Sequence, residues 1–159
     1  MIRTQRVLRI ARLVLLLGVA ITLAAFWRSC HRVRIPDADQ SMYPTYPGGS
    51  VLIVEDLEPD APLERGTDVM YAVEIDGKGY ERFGRVRGLP GDIVGVKDGR
   101  LTVNGDPVGA IPGEPMGEVP EGTVLILAIN PLEIRYPDSR KLSFIPRERV
   151  VAVIRTKLG

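Results

Sequence analysis

The sequence predicts an all-β domain, a folded sheet or barrel, carried behind one N-terminal transmembrane helix. Three observations predict it. All 13 prolines and 16 of the 17 glycines lie beyond Arg34, and seven short β-branched runs stand among them. No long stretch of that region repeats its apolar residues every 3.6 positions, as a packed helix would. Ahead of it, Leu13 to Trp27 reads LVLLLGVAITLAAFW, fifteen residues without a charge.

At 159 residues the chain has room for one domain with a real core and too little for two. The division therefore falls at the change of character: residues 1–34 form a basic N-terminus and anchor, and residues 35–159 form the β domain. The fifteen apolar residues span about 22 Å as a helix, short of the roughly 30 Å of bilayer hydrocarbon. Val7, Leu8, Ile10 and Ala11 extend the segment backwards, and flanking arginines can lift their charged heads to the interface. Trp27 stands where an interfacial anchor would. A cleaved secretory leader is the competing reading, but Thr22 and Ala24 make a poor small-x-small cleavage site and Phe26-Trp27-Arg28 follows it. Four arginines and the amino terminus precede the span and three arginines follow it, which places the N-terminus in the cytoplasm and the β domain on the extracytoplasmic face.

The strands follow in order as Ser50–Glu55, Asp68–Glu74, Tyr80–Arg87, Asp92–Val96, Arg100–Gly105, Thr123–Ile129 and Val150–Thr156. Lys97-Asp98-Gly99 joins two of them, and Asp-Gly is a hairpin signal because both central residues of the tight turn need positive φ. Asn104-Gly105 marks the next turn. Residues 106–122 carry four prolines and four glycines and are expected to be an exposed loop, too broken for regular pairing.

Charge and composition exclude several functions. Residues 1–34 hold 7 of the 21 basic residues and no acidic one, leaving 14 basic against 20 acidic in the body. Such a body has no basic face with which to neutralise nucleic-acid phosphates. The basic arm beside an apolar run points to membrane lipid instead. With Cys30 and His31 as the only residues of their kinds, neither an internal disulfide nor a thiolate or multi-histidine metal site can be built. No cofactor motif is present.

Four motifs then stand in register: Ser41-Met42-Tyr43-Pro44-Thr45, GRVRGLPGDIV at 84–94, DGRLTVNG at 98–105 and PDSRKLSFIP at 137–146. Together with the anchor they resemble the type I signal peptidase family over roughly residues 35–155. The resemblance implies a membrane-anchored serine endopeptidase with a β fold and no metal. Such an enzyme removes signal peptides from exported preproteins, and its serine gives its proton to a lysine kept unprotonated by burial. Ser41 falls on the nucleophile position, and Met42 and Pro44 on the residues that line the substrate.

The resemblance breaks where that lysine should be. Counting from GLPGD at 88–92, the lysine position is Gly84, and the basic neighbour that follows it is matched by Arg85. Arg82 shares the strand face of Gly84, but a guanidinium keeps its proton and can only fill the space as a cation. Lys78 has the right parity and lies about 20 Å away along the strand, in a solvated turn. Tyr136 stands in the place of the serine that orients the lysine, and Ala128 and Ile129 replace the Gly-Asp before Asn130. Asp39 occupies a position where many members carry a hydroxyl that supports the oxyanion. A carboxylate there repels developing negative charge unless it faces water. Asp138 and Arg140 read as a structural ion pair.

Two functional readings follow. In one, Ser41 still attacks a carbonyl and some other base assists it, from a carboxylate or a partner chain. In the other, the chain binds signal peptides along its sheet without cutting them, as an accessory subunit or a sensor of unprocessed exports. The residues favour impaired or absent cleavage. If the lysine alone is missing, Gly84→Lys is expected to return some activity.

Overall fold

The computed structural model describes residues 11–22, 30–108, 113, 116–133 and 135–158. Two units divide the chain, Met1–His31 and Arg32–Gly159. In the first, residues 11–22 form a helix, α1, whose leucines at 13 and 15–17 are more than half exposed. Thr22 Oγ1 donates to the Gly18 and Val19 carbonyls within it. No helix among the described residues is long and apolar enough to cross a membrane. The expected span reaches Trp27, and residues 23–29 lie outside the described residues.

The body is built from strands, as the turn residues require. In chain order they are β1 (Cys30–Arg34), β2 (Val51–Asp56), β3 (Asp68–Ile75), β4 (Lys78–Gly88), β5 (Ile93–Lys97), β6 (Arg100–Val103), β7 (Asp106–Pro107), β8 (Gly117–Glu118), β9 (Thr123–Leu127), β10 (Ile145–Pro146) and β11 (Val150–Leu158). A four-residue helix, α2 (Ser139–Leu142), lies between β9 and β10. The larger sheet runs β1-β2-β11-β3-β4-β9-β10 and the smaller β7-β6-β5-β8.

All seven expected strands are present, with ends moved by a residue or two. Asp98 and Gly99 both have positive φ, as do Asp76 and Gly77, so the β5–β6 and β3–β4 hairpins turn on the two-residue loops those pairs favour. Lys78 is not in the turn but opens β4, paired with Ile75. The expectation of an unpaired loop over 106–122 is corrected at both ends. Asp106–Pro107 pairs with β6, and Gly117–Glu118 pairs with β5. Short two-residue ladders need only a few free N–H and C=O groups, which proline-rich sequence still supplies.

Strand alternation sorts the core into layers. One face of the large sheet buries Val69, Tyr71, Val73, Val86 and Ile126, and the other buries Leu52, Val54, Met70, Phe83 and Ala152 together with Ile35 and Met42. A third cluster joins Val94, Leu101 and Val103 of the small sheet to Leu125 and Leu127 of β9. Each fully buried side chain of this kind contributes about 1.5–3 kcal/mol. Those layers hold the end of β9 and the middle of β4 rigid, which positions the site.

Candidate functional site

Ser41 lies in the connection between β1 and β2. That connection is tied to the far end of β9: Asn130 donates its backbone N–H to the Ser41 carbonyl at 2.9 Å and its Nδ2 to the Gln40 carbonyl at 3.1 Å. Ser41 is 3% exposed, and its Oγ has no hydrogen-bond partner. Met42 has no exposed surface and packs among Ile35, Leu52 and Phe83. The expected substrate contact by Met42 is therefore corrected, because a thioether sealed in the core offers nothing to a ligand. Pro44 is exposed.

Asp39 does not face water. It is 1% exposed, and its Oδ1 accepts the Ser41 backbone N–H at 2.8 Å. Two residues of separation is the spacing at which an Asp carboxylate caps the backbone locally. The consequence is chemical: in serine acyl transfer the nucleophile's own N–H can stabilise the oxyanion, and here a carboxylate already holds it. Asp39 Oδ2 has no partner.

Gly84 sits in mid-β4, opposite Val69 of β3. A Cβ built on it would lie 2.5 Å from Ile126 Cγ2, 3.2 Å from the Leu127 carbonyl oxygen and 3.3 Å from Tyr71 Cε1. The space beyond the glycine is filled rather than vacant. Tyr71, paired with Arg82, lies diagonally across from Gly84 and donates its hydroxyl to the Pro137 carbonyl at 3.3 Å. Burial, and then the Asp138 carboxylate, pushes the Tyr71 phenol well above its ordinary range, so it keeps its proton and is no base.

No lysine of the chain is buried as the resemblance requires of the base. The chain has four, Lys78, Lys97, Lys141 and Lys157, and every one of them is exposed. A lysine works as a general base when desolvation lowers its pKa, and none here is desolvated.

What the site does contain is a clamped cation. The Arg82 guanidinium carbon lies 4.8 Å from the Tyr80 ring centroid and 5.1 Å from that of Tyr136, distances at which a ring quadrupole attracts it. Tyr136 thus holds Arg82, where the resemblance put an orienting serine. Arg82 Nη1 donates to the Glu81 carbonyl, while its Nε is buried without a partner. Four buried side-chain polar atoms among the described residues lack partners: Asp39 Oδ2, Ser41 Oγ, Arg82 Nε and Arg147 Nη1. Tyr71 feels the charges of both Asp39 and Arg82. An orphaned buried group of this kind costs about 1–3 kcal/mol, and each calls for an explanation.

The remaining motif residues are fully engaged. Arg85 forms a two-pronged pair with Asp68 at 2.6 and 2.9 Å. Asp138 caps α2, accepts the Ala128 N–H at 2.7 Å and pairs with Arg140, both of them nearly buried. Among the described residues no group of three or more His, Cys, Asp or Glu side chains could hold a metal.

A profile described as signal peptidase, peptidase S26, matches residues 10–116, two thirds of the chain. This chain belongs to the signal peptidase family. The matched stretch contains Ser41 and Gly84 and ends before Asp138. Among solved structures, a signal peptidase I from Enterococcus faecalis V583 is 21% identical with a TM-score of 0.44, over 60% of this chain and 98% of that one. A likeness that slight decides nothing about the site. A search of curated proteins found no match. The signal peptidase family's substrates are preproteins bearing signal peptides.

Within that family frame, the residue that sequence reading misses is Tyr71. The signal is present: counting outward from the Asp76-Gly77 turn, antiparallel pairing sets Tyr71 opposite Arg82 and beside Gly84.

Proposed function

We propose that this chain is a membrane-anchored member of the signal peptidase family that takes hold of signal peptides of exported preproteins and lacks the chemistry that cuts them. The observation that carries the reading is the state of Ser41. Its hydroxyl has no partner, every lysine of the chain is exposed, and its backbone N–H is held by Asp39. General-base assistance contributes roughly 10² to 10⁴ in rate, and one oxyanion donor roughly 10² to 10³, so the two losses compound. Binding is a separate property. An extended peptide joins a sheet through main-chain hydrogen bonds, which need neither the lysine nor the oxyanion donor.

The anchor is part of the proposal. The apolar run Leu13–Trp27 between arginines favours a span with the N-terminus in the cytoplasm and the β domain on the extracytoplasmic face, where signal peptides emerge. There the chain serves as an accessory subunit or as a sensor of unprocessed exports. The test uses full-length protein in detergent and a labelled preprotein with a small-x-small site. The preprotein is expected to be retained and to be cut no faster than by the Ser41→Ala variant. Serine-dependent cutting overturns the loss of chemistry, and failure to retain the preprotein overturns the binding.

A further inference from the structure

We propose that a recess beside Arg87 in the β domain binds a phosphate monoester, carried by a soluble ester or by a lipid headgroup. The recess, of about 190 Å³, is lined in part by Arg65, Val86, Arg87, Val103, Asn104 and Asp106. Neither Ser41, Asp39, Arg82 nor Gly84 lines it.

Five of the described arginines are partly buried, and four of them are accounted for. Arg85 and Arg140 meet carboxylates, Arg82 lies on two rings and bonds the Glu81 carbonyl, and Arg147 bonds the Glu58 and Ala61 carbonyls. The fifth, Arg87, makes no hydrogen bond, ion pair or ring contact among the described residues. Unlike Arg82 Nε and Arg147 Nη1, its nitrogens are not sealed from solvent. Burial, and then the charge of Arg85, lowers its pKa, while Asp68, the carboxylate that attracts it, is already held by Arg85 through both oxygens. The cation is uncompensated where it stands, and a ligand can reach it.

The backbone accounts for its position. Register between β4 and β9 shifts between Val86 and Gly88, so Arg87 is the extra residue of a bulge and has no partner on β9. Such a bulge breaks strand alternation, and the consecutive residues Val86 and Arg87 both line the recess. Arg65 supplies a second cation. Asp92 holds its Nε and Nη2, which fixes the guanidinium plane and leaves Nη1 for a ligand. Two guanidiniums offer more donors than one carboxylate can use, and they suit the three terminal oxygens of a phosphate monoester. Size agrees, because pockets that enclose whole small molecules begin at about 300 Å³ and this one is smaller. Asp106 is the one carboxylate in the lining, and it is exposed, where salt and water screen it. No covalent step is involved.

The experiment is calorimetric titration of the full chain in detergent, at fixed ionic strength, with glycerol 3-phosphate and with dioleoyl phosphatidic acid in mixed micelles. Saturable binding at one site per chain is expected, weakened about tenfold in Arg87→Gln, as suits the loss of one charge-assisted contact. Arg149→Gln, at an exposed arginine outside the recess, is expected to leave it unchanged. Tighter Arg87-dependent binding of phosphatidic acid assigns the site to lipid, and tighter binding of glycerol 3-phosphate assigns it to a soluble ester; either upholds the proposal. Without ligand, Arg87→Gln is expected to unfold at a temperature no lower than the wild type, because the group removed bonds to nothing. A lower midpoint would make Arg87 a structural residue and overturn the proposal. So would equal losses of binding in Arg87→Gln and Arg149→Gln. Absence of saturable binding of both probes to the unaltered protein overturns it without need of any variant.

Discussion

Asp39 and Asp138 are both buried carboxylates, and both act on the same phenol, Tyr71. Their surroundings differ. Asp138 accepts the Arg140 backbone N–H through Oδ1 and the Ala128 N–H through Oδ2, and both oxygens take further bonds from the Arg140 guanidinium. Asp39 accepts one bond, from Ser41, and leaves Oδ2 empty-handed. The difference separates scaffold from site. A carboxylate whose oxygens are all engaged closes a turn, whereas one left buried and half-engaged marks a place where hydrogen-bonding capacity is unused.

That contrast can be broken most forcefully at Asp138. Asp138→Ala is expected to cost about 3–5 kcal/mol, because it strands a nearly buried Arg140 and the Ala128 N–H; thermal unfolding checks it. The cost of Gly84→Lys is expected to be about 1–3 kcal/mol, since its Cβ must push aside fully buried Ile126 against Tyr71. The same variant is expected to give no cleavage of a preprotein, and restored cleavage would show that the lysine alone was missing. By contrast Ser41→Ala is expected to change stability by less than about 1 kcal/mol, because it removes an unsatisfied hydroxyl rather than a bond.

The smallest effect lies in the pH dependence of another fully engaged carboxylate, Asp92. Burial alone would raise its pKa, but hydrogen bonds from Arg65, the Leu89 N–H and Asn104 outweigh that and hold it below the ordinary 3.8. A depressed carboxyl contributes stability that is present above the ordinary value and lost as pH falls through the folded value. Acid titration of unfolding midpoints is expected to show that loss in the wild type and a flatter curve in Asp92→Asn.

Much of the fold is legible in the sequence because alternation and turn chemistry are local. Asp98-Gly99 states its own hairpin, and the β-branched runs state their strands. The two-residue ladders β7 and β8 are not legible, since their pairing depends on the neighbouring strands β5 and β6 rather than on their own residues. At the site, the loss at Gly84 can be read by position. That Tyr71 and Ile126 fill the space cannot, because their contact with Gly84 spans three strands. Nor can the burial of Asp39, whose environment is set by a loop anchored on Asn130 ninety residues away. The direction of Met42 escapes sequence reading for the same reason: beside Ser41, it turns wholly into the core.

The proposed loss of cleavage turns on the Ser41 hydroxyl having no hydrogen-bond partner. The decisive quantity is the ratio of preprotein cleavage rates between wild type and Ser41→Ala, followed from mildly acidic to strongly alkaline pH. A ratio of one throughout is the expected result. A ratio above one that climbs as pH rises would reveal a deprotonating amine at work on Ser41 and would refute the loss of chemistry.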